Sequence, residues 1–163
     1  MTRDKIKKIF LYILIAAIVL TVLFIFSNSL KPKDQSLEDS NAVGGIISSI
    51  FPPDSDIGKF ILEYIRKIAH FTEYGLLGIE MALLVIFYFK KRIRAGLISL
   101  NLSLVVAFID ESLQYISERG PSISDVWIDV GGFMFFSLIV YAIAFSAHLI
   151  ARLISRKDTK LEN

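Results

Sequence analysis

Long apolar runs and short basic segments alternate along the chain. A helix crossing the hydrocarbon core of a bilayer needs about 20 mainly apolar residues. Four stretches meet that need: Ile9 to Phe26, Ile68 to Phe89, Ala95 to Ile116 and Val126 to Ala151. Between the first two the pattern changes. After the polar stretch Lys31 to Asn41, apolar residues recur at Val43, Ile46, Ile47, Ile50 and Phe51, the spacing of a helix with one apolar face. Pro52 and Pro53 end that stripe. A second stripe, Ile57, Phe60, Ile61, Tyr64, Ile65 and Ile68, runs into the second apolar stretch with Lys59, Glu63 and Arg66 on other faces. The pattern predicts an all-α integral membrane protein, a bundle of four transmembrane helices. An amphipathic segment at about residues 42–66 is expected in the first extracytoplasmic loop. Two placements stand for that segment: flat on the outer leaflet, as interfacial helices lie, or packed as a lid on the helix ends.

Composition agrees: 54% of the 163 residues are hydrophobic and the mean hydropathy is +0.59, which fits one membrane domain over residues 1–163. The chain has no cysteine, which excludes disulfides, thiolate metal sites and cysteine nucleophiles. The net charge of +2 says little; its distribution says more. Arg3, Lys5, Lys7 and Lys8, then Lys90, Lys91, Arg92 and Arg94, then Arg152, Arg156, Lys157 and Lys160 flank the four apolar stretches on alternate sides. The positive-inside rule makes that side cytoplasmic, with both termini inside. These clusters abut apolar spans and read as topology signals, not as nucleic-acid patches. The first stretch follows basic residues as a secretory signal would. It is long, however, and Ser27-Asn28-Ser29-Leu30 offers no small-residue cleavage site, so it reads as an uncleaved anchor.

Orientation fixes the depth of the polar residues. His70 and Glu73 open the second span, Asp110, Glu111 and Gln114 close the third, and Asp125 and Asp129 open the fourth. All fall at the outer end, level with Glu118 and Arg119 in the turn between the third and fourth spans. His70 with Glu73, Asp110 with Gln114, Glu111 with Gln114, and Asp125 with Asp129 are three or four residues apart, so each pair shares a helix face. Ionisable residues in spans are costly and usually face a bundle interior or a watery cavity. Each also has a plainer reading. Ser122 and Asp125 fit a capping box. Arg119 can pair with Asp125 or Glu111 to pin the turn. Tyr64, Tyr74, Tyr115 and Trp127 fit an interfacial aromatic belt. Glu80 lies about 10 Å deeper than Glu73 by helix rise, where it requires protonation or a hydrogen-bond partner, with Asn101 or Ser103 of the third span as candidates.

Taken together, Arg66-Lys67-Ile68-Ala69-His70-Phe71-Thr72-Glu73-Tyr74, Asp110-Glu111-Ser112-Leu113-Gln114, Arg119 and Asp125-Val126-Trp127-Ile128-Asp129-Val130-Gly131-Gly132 resemble the pattern of VanZ-like membrane proteins. Asp129 stands where many members carry Asn. The resemblance implies a bacterial plasma-membrane protein, similar to one linked with low-level resistance to the lipoglycopeptide teicoplanin. It brings no defined reaction, and no motif requires a cofactor.

Four functional classes follow. The first is a membrane factor recognising a lipid or lipoglycopeptide amphiphile at the outer leaflet, with Lys67, His70 and Arg119 meeting an anionic head group and Glu111 and Gln114 orienting them or binding hydroxyl and amide donors. Glu73, Tyr74, Asp110, Asp125 and Asp129 complete that candidate site. The second is an intramembrane enzyme using His70 or Glu111 as acid or base, or a divalent metal held by carboxylates and His70. No zinc-protease, nucleophile-elbow or phosphate-loop motif supports it, and no metal ligand set is firm. The third is a proton-coupled transporter along Glu73, Glu80 and Asn101, without the inverted repeat such proteins show. The fourth is a polar network that only locks helix ends together. Nothing in the sequence fixes the oligomeric state.

Overall fold

The computed structural model describes residues 2–161, with side chains through residue 155. The side chains of Arg156, Lys157 and Lys160, counted above among the flanking charges, lie outside the described residues. The chain forms five helices, α1 (Arg3–Ser29), α2 (Lys33–Ile50), α3 (Asp56–Tyr88), α4 (Arg92–Ile116) and α5 (Ile123–Leu161), and the described residues contain no strand. All but α2 are long and apolar enough to cross a membrane.

The distribution of side chains is that of a membrane protein. Leu20, Leu138 and Phe145 are more than 60% exposed, at 66%, 61% and 69%. Thr21, Glu80, Ser99, Ser103, Asp110, Glu111, Gln114, Asp129 and Ser137 are buried with the core residues Ile25, Tyr74, Leu77, Ala107, Val126 and Phe133. Lipid removes the penalty for an apolar exterior, so association rests on close packing and on hydrogen bonds between helices.

α3 is the central helix and packs most extensively on α5. Glycine makes that approach possible. A Cβ on Gly132 would collide with the Phe71 carbonyl oxygen, and one on Gly78 with the Phe133 carbonyl oxygen. Ser137 Oγ then reaches the Gly78 carbonyl at 3.0 Å. At one end of the bundle Tyr88 donates to the Lys7 carbonyl at 2.7 Å, which joins the start of α1 to the end of α3. The basic segments Arg3–Lys8 and Lys90–Arg94 therefore sit at the same end. The α4–α5 turn lies at the other.

Helix boundaries follow local chemistry. Pro52 pushes Phe51 into an extended conformation (φ −116, ψ 118) and α2 stops. Ser55 then caps α3, its Oγ accepting from the Gly58 N–H at 3.0 Å. The two amphipathic stripes have different fates. The first belongs to α2, which starts in the polar stretch, at Lys33, and rests on α3 with Gly44 against Leu62 and Ile65. The second is not separate: it is the first part of α3, divided from the remainder by non-helical backbone at Tyr64. α4 ends in a left-handed residue, Glu118 (φ 57), which lets the Arg119 N–H reach the Gln114 carbonyl at 3.0 Å.

Candidate functional site

The end of the bundle bearing the α4–α5 turn gathers polar residues from α1, α3, α4 and α5. Sequence spacing gives depth but not rotation, so it is the glycine-mediated docking of α3 on α5 that brings His70 to Asp129. His70 Nδ1 lies 3.2 Å from Asp129 Oδ1 and 3.7 Å from Asp110 Oδ2. Asp110 Oδ1 accepts a short hydrogen bond of 2.5 Å from Ser29 Oγ of α1. Asn28 Nδ2 donates to Glu73 Oε1 at 2.8 Å. Ser117 Oγ donates to the Ser29 carbonyl at 2.7 Å, and Arg119 Nη1 to the Asn28 carbonyl at 2.9 Å. In the last turn of α1, where helical partners run out, the α4–α5 turn thus holds the Ser29 carbonyl and shares that of Asn28 with the Lys31 N–H.

Glu111 does something the sequence did not suggest. Its Oε1 accepts from Gln114 Nε2 at 2.6 Å, and its Oε2 from the Ser122 N–H at 2.7 Å. A capping box would turn Asp125 back to that N–H; Glu111 of α4 takes the position, and Asp125 accepts from Ser124 Oγ at 3.2 Å. Glu111 and Gln114 therefore organise the start of α5 and do not orient His70, which is held by Asp129.

The cavity beside this network is about 440 Å³, within the range of small-ligand sites. Its apolar lining comes from Phe24 of α1, Val43 and Ile47 of α2, and Ile61, Ile65 and Ile68 of α3. Its polar lining includes Asn28, Ser29, Lys31, Arg66, His70, Glu73 and Arg119, with Ser36, Asp39 and Ser40 of α2. Lys31 is paired with Asp39 at 2.7 Å. α2 thus packs on α3 and contributes to the lining of the cavity.

Of the residues expected at the site, His70, Glu73 and Arg119 line the cavity; Asp110 and Asp129 stand behind His70. Lys67 does not line it. That side chain is exposed and places its ammonium 5.6 Å from the Tyr64 ring centre, and Arg66 faces the cavity instead. Tyr74 is not part of an interfacial belt, being 0% exposed with its hydroxyl unpartnered. Tyr115 and Trp127 are exposed. Arg119 makes no ion pair with Asp125 or Glu111 among the described residues. Burial, and after it the nearby Arg66, lower its pKa against the pull of Asp110, Glu111 and Glu73.

Glu80 is bonded to α1, not to α4: Thr21 Oγ1 donates to its Oε1 at 3.0 Å. Asn101 is exposed and Ser103 is not, but each bonds a carbonyl of its own helix, at Leu97 and Leu100. The suggested relay from Glu73 through Glu80 to Asn101 is therefore not assembled. Asn28, Ser29 and Arg66 were not among the expected site residues. The available signal was the Ser-Asn-Ser sequence ending the first apolar run at the depth of the acidic residues.

A family model described as VanZ/LLP1 matches residues 10–145, a range that takes in most of α1 and all of α2 as well as the motifs between Arg66 and Gly132. No curated protein and no solved structure matches the chain.

Proposed function

The chain belongs to the VanZ/LLP1 family, and on that footing we propose that it recognises an amphiphile from the outer leaflet of the bacterial plasma membrane. A lipoglycopeptide such as teicoplanin is the candidate ligand. The observation that carries this reading is the cavity, whose lining combines Phe24, Val43, Ile47, Ile61, Ile65 and Ile68 with Arg66, His70, Glu73 and Arg119. An acyl chain suits the apolar lining of Phe24, Val43, Ile47 and Ile61. An anionic or amide-rich head group suits the polar lining, where guanidinium groups form strong charge-assisted hydrogen bonds. The placement rests on charge: the basic segments around Lys7 and Lys90 share one end of the bundle, and the positive-inside rule makes that end cytoplasmic, with both termini there. The cavity then opens towards the outer leaflet.

The test is the teicoplanin and vancomycin susceptibility of a sensitive Gram-positive host expressing the wild type, His70→Ala or Ile47→Asp, with membrane levels of each protein measured. The wild type is expected to raise the inhibitory concentration of teicoplanin, and both variants to lose that effect at normal abundance. An unchanged host, or full activity in both variants, contradicts the proposal.

A further inference from the structure

We propose that His70, Asp110 and Asp129, with Glu111 beside them, form a binding site for a divalent transition-metal ion. Donor atoms from these four residues all lie within 4.8 Å of one another. Ligands about 2.0–2.2 Å from a shared ion stand about 3 Å apart when adjacent and about 4.4 Å apart when opposite, so small inward movements suffice. One imidazole with several carboxylates favours Mn²⁺, Fe²⁺ or Zn²⁺ over an ion that takes oxygen alone.

The acidic groups are also short of partners. Asp110 and Asp129 are each 0% exposed, and in each the Oδ2 atom is buried without a hydrogen-bond partner. Tyr74, also 0% exposed, has an unpartnered hydroxyl as well. Buried polar atoms nearly always have partners, and several orphans in one place point to a missing ion or water. His70 is shared between the two carboxylates, and no Lys or Arg pairs with either among the described residues; buried charge is costly unless paired or bound to a metal. Asp110 Oδ1 and Asp129 Oδ1 are held by Ser29 and His70, and Asp110 Oδ2 lies 3.7 Å from His70 Nδ1, which leaves the two Oδ2 atoms as the donors without a hydrogen bond. Glu111 already accepts on both oxygens and is the outlying ligand.

His70 belongs to both the cluster and the cavity lining, so the ion borders the cavity. Ion binding requires no amphiphile, and the two proposals can fail separately.

The full chain, purified in detergent and stripped with chelator, is dialysed against Mn²⁺ or Zn²⁺ in separate samples, and bound metal is measured by elemental analysis, with electron paramagnetic resonance for Mn²⁺. About one tightly held ion per chain is expected. Asp110→Asn and Asp129→Asn keep side-chain shape and should each weaken binding more than about tenfold. Glu80→Gln, whose parent carboxylate bonds Thr21 elsewhere, should leave it unchanged. A folded wild type holding neither Mn²⁺ nor Zn²⁺ above background overturns the proposal, as does undiminished binding in folded Asp110→Asn and Asp129→Asn. Should those variants not fold, the wild type decides by nuclear magnetic resonance. The chain has 2 histidines, His70 and His148, and Mn²⁺ must broaden the imidazole signals of His70 selectively; equal broadening of both, or none, rejects the site.

Discussion

Gly132→Ala is expected to destabilise the detergent-solubilised protein by about 1–3 kcal/mol, the usual cost of overpacking, and Gly131→Ala to leave it unchanged or slightly more stable. The two glycines are neighbours on α5 and differ in what a methyl group would meet. At Gly132 it meets the carbonyl oxygen of Phe71, a backbone atom that cannot rotate aside; at Gly131 nothing lies within 4 Å. In open space, alanine gains up to about 1 kcal/mol over glycine in a helix. Gly75→Ala should fall between them, because its methyl would strike the Phe136 ring, which can turn. Thermal unfolding of the three variants reads the order directly. Equal loss at Gly131 and Gly132 would mean that α3 and α5 do not meet as described. The consequence reaches the site, since the same contact brings His70 of α3 to Asp129 of α5.

Glu111→Ala is expected to cost about 2–4 kcal/mol, because it strips acceptors from the Gln114 amide and the Ser122 N–H together, and an unsatisfied buried donor costs about 1–3 kcal/mol. Glu111→Gln should be much milder. One carbonyl oxygen can still serve the Ser122 N–H, and the Gln114 amide can reverse to present its own oxygen. Unfolding midpoints of the two variants, with protease sensitivity of the turn around Arg119, separate these outcomes. Similar losses for Gln and Ala would show that the negative charge, and not hydrogen bonding at the start of α5, is what the position requires.

The spans were legible because composition alone determines them: an apolar run of sufficient length has few other stable uses. The start of α2 was not legible. Lys33 to Asn41 shows no apolar stripe, and its helix is extended from the amphipathic part that rests on α3. The common depth of His70, Glu73, Asp110, Glu111, Asp125 and Asp129 could be read from helix rise, but their rotation could not. Asp110 and Asp129 therefore converge on His70, whereas Asp125 does not. Residue type alone suits Tyr74 to an interfacial belt, but Gly75 and Gly78 beside it draw that part of α3 into the core. The bond from Thr21 to Glu80 depends on which face α1 presents to α3, and an almost uniformly apolar helix gives no periodic signal of its face.

The measurement that tests amphiphile recognition most directly is equilibrium binding of teicoplanin to the full chain in phospholipid nanodiscs, compared with empty discs. The wild type should bind saturably. His70→Ala and Ile47→Asp, both in the cavity lining, should each weaken binding by at least about tenfold, or about 1.4 kcal/mol; Ser112→Ala on the exposed face of α4 should not. Binding no stronger than to empty discs, or equal affinity in all four proteins, would contradict the assignment of the cavity as the recognition site.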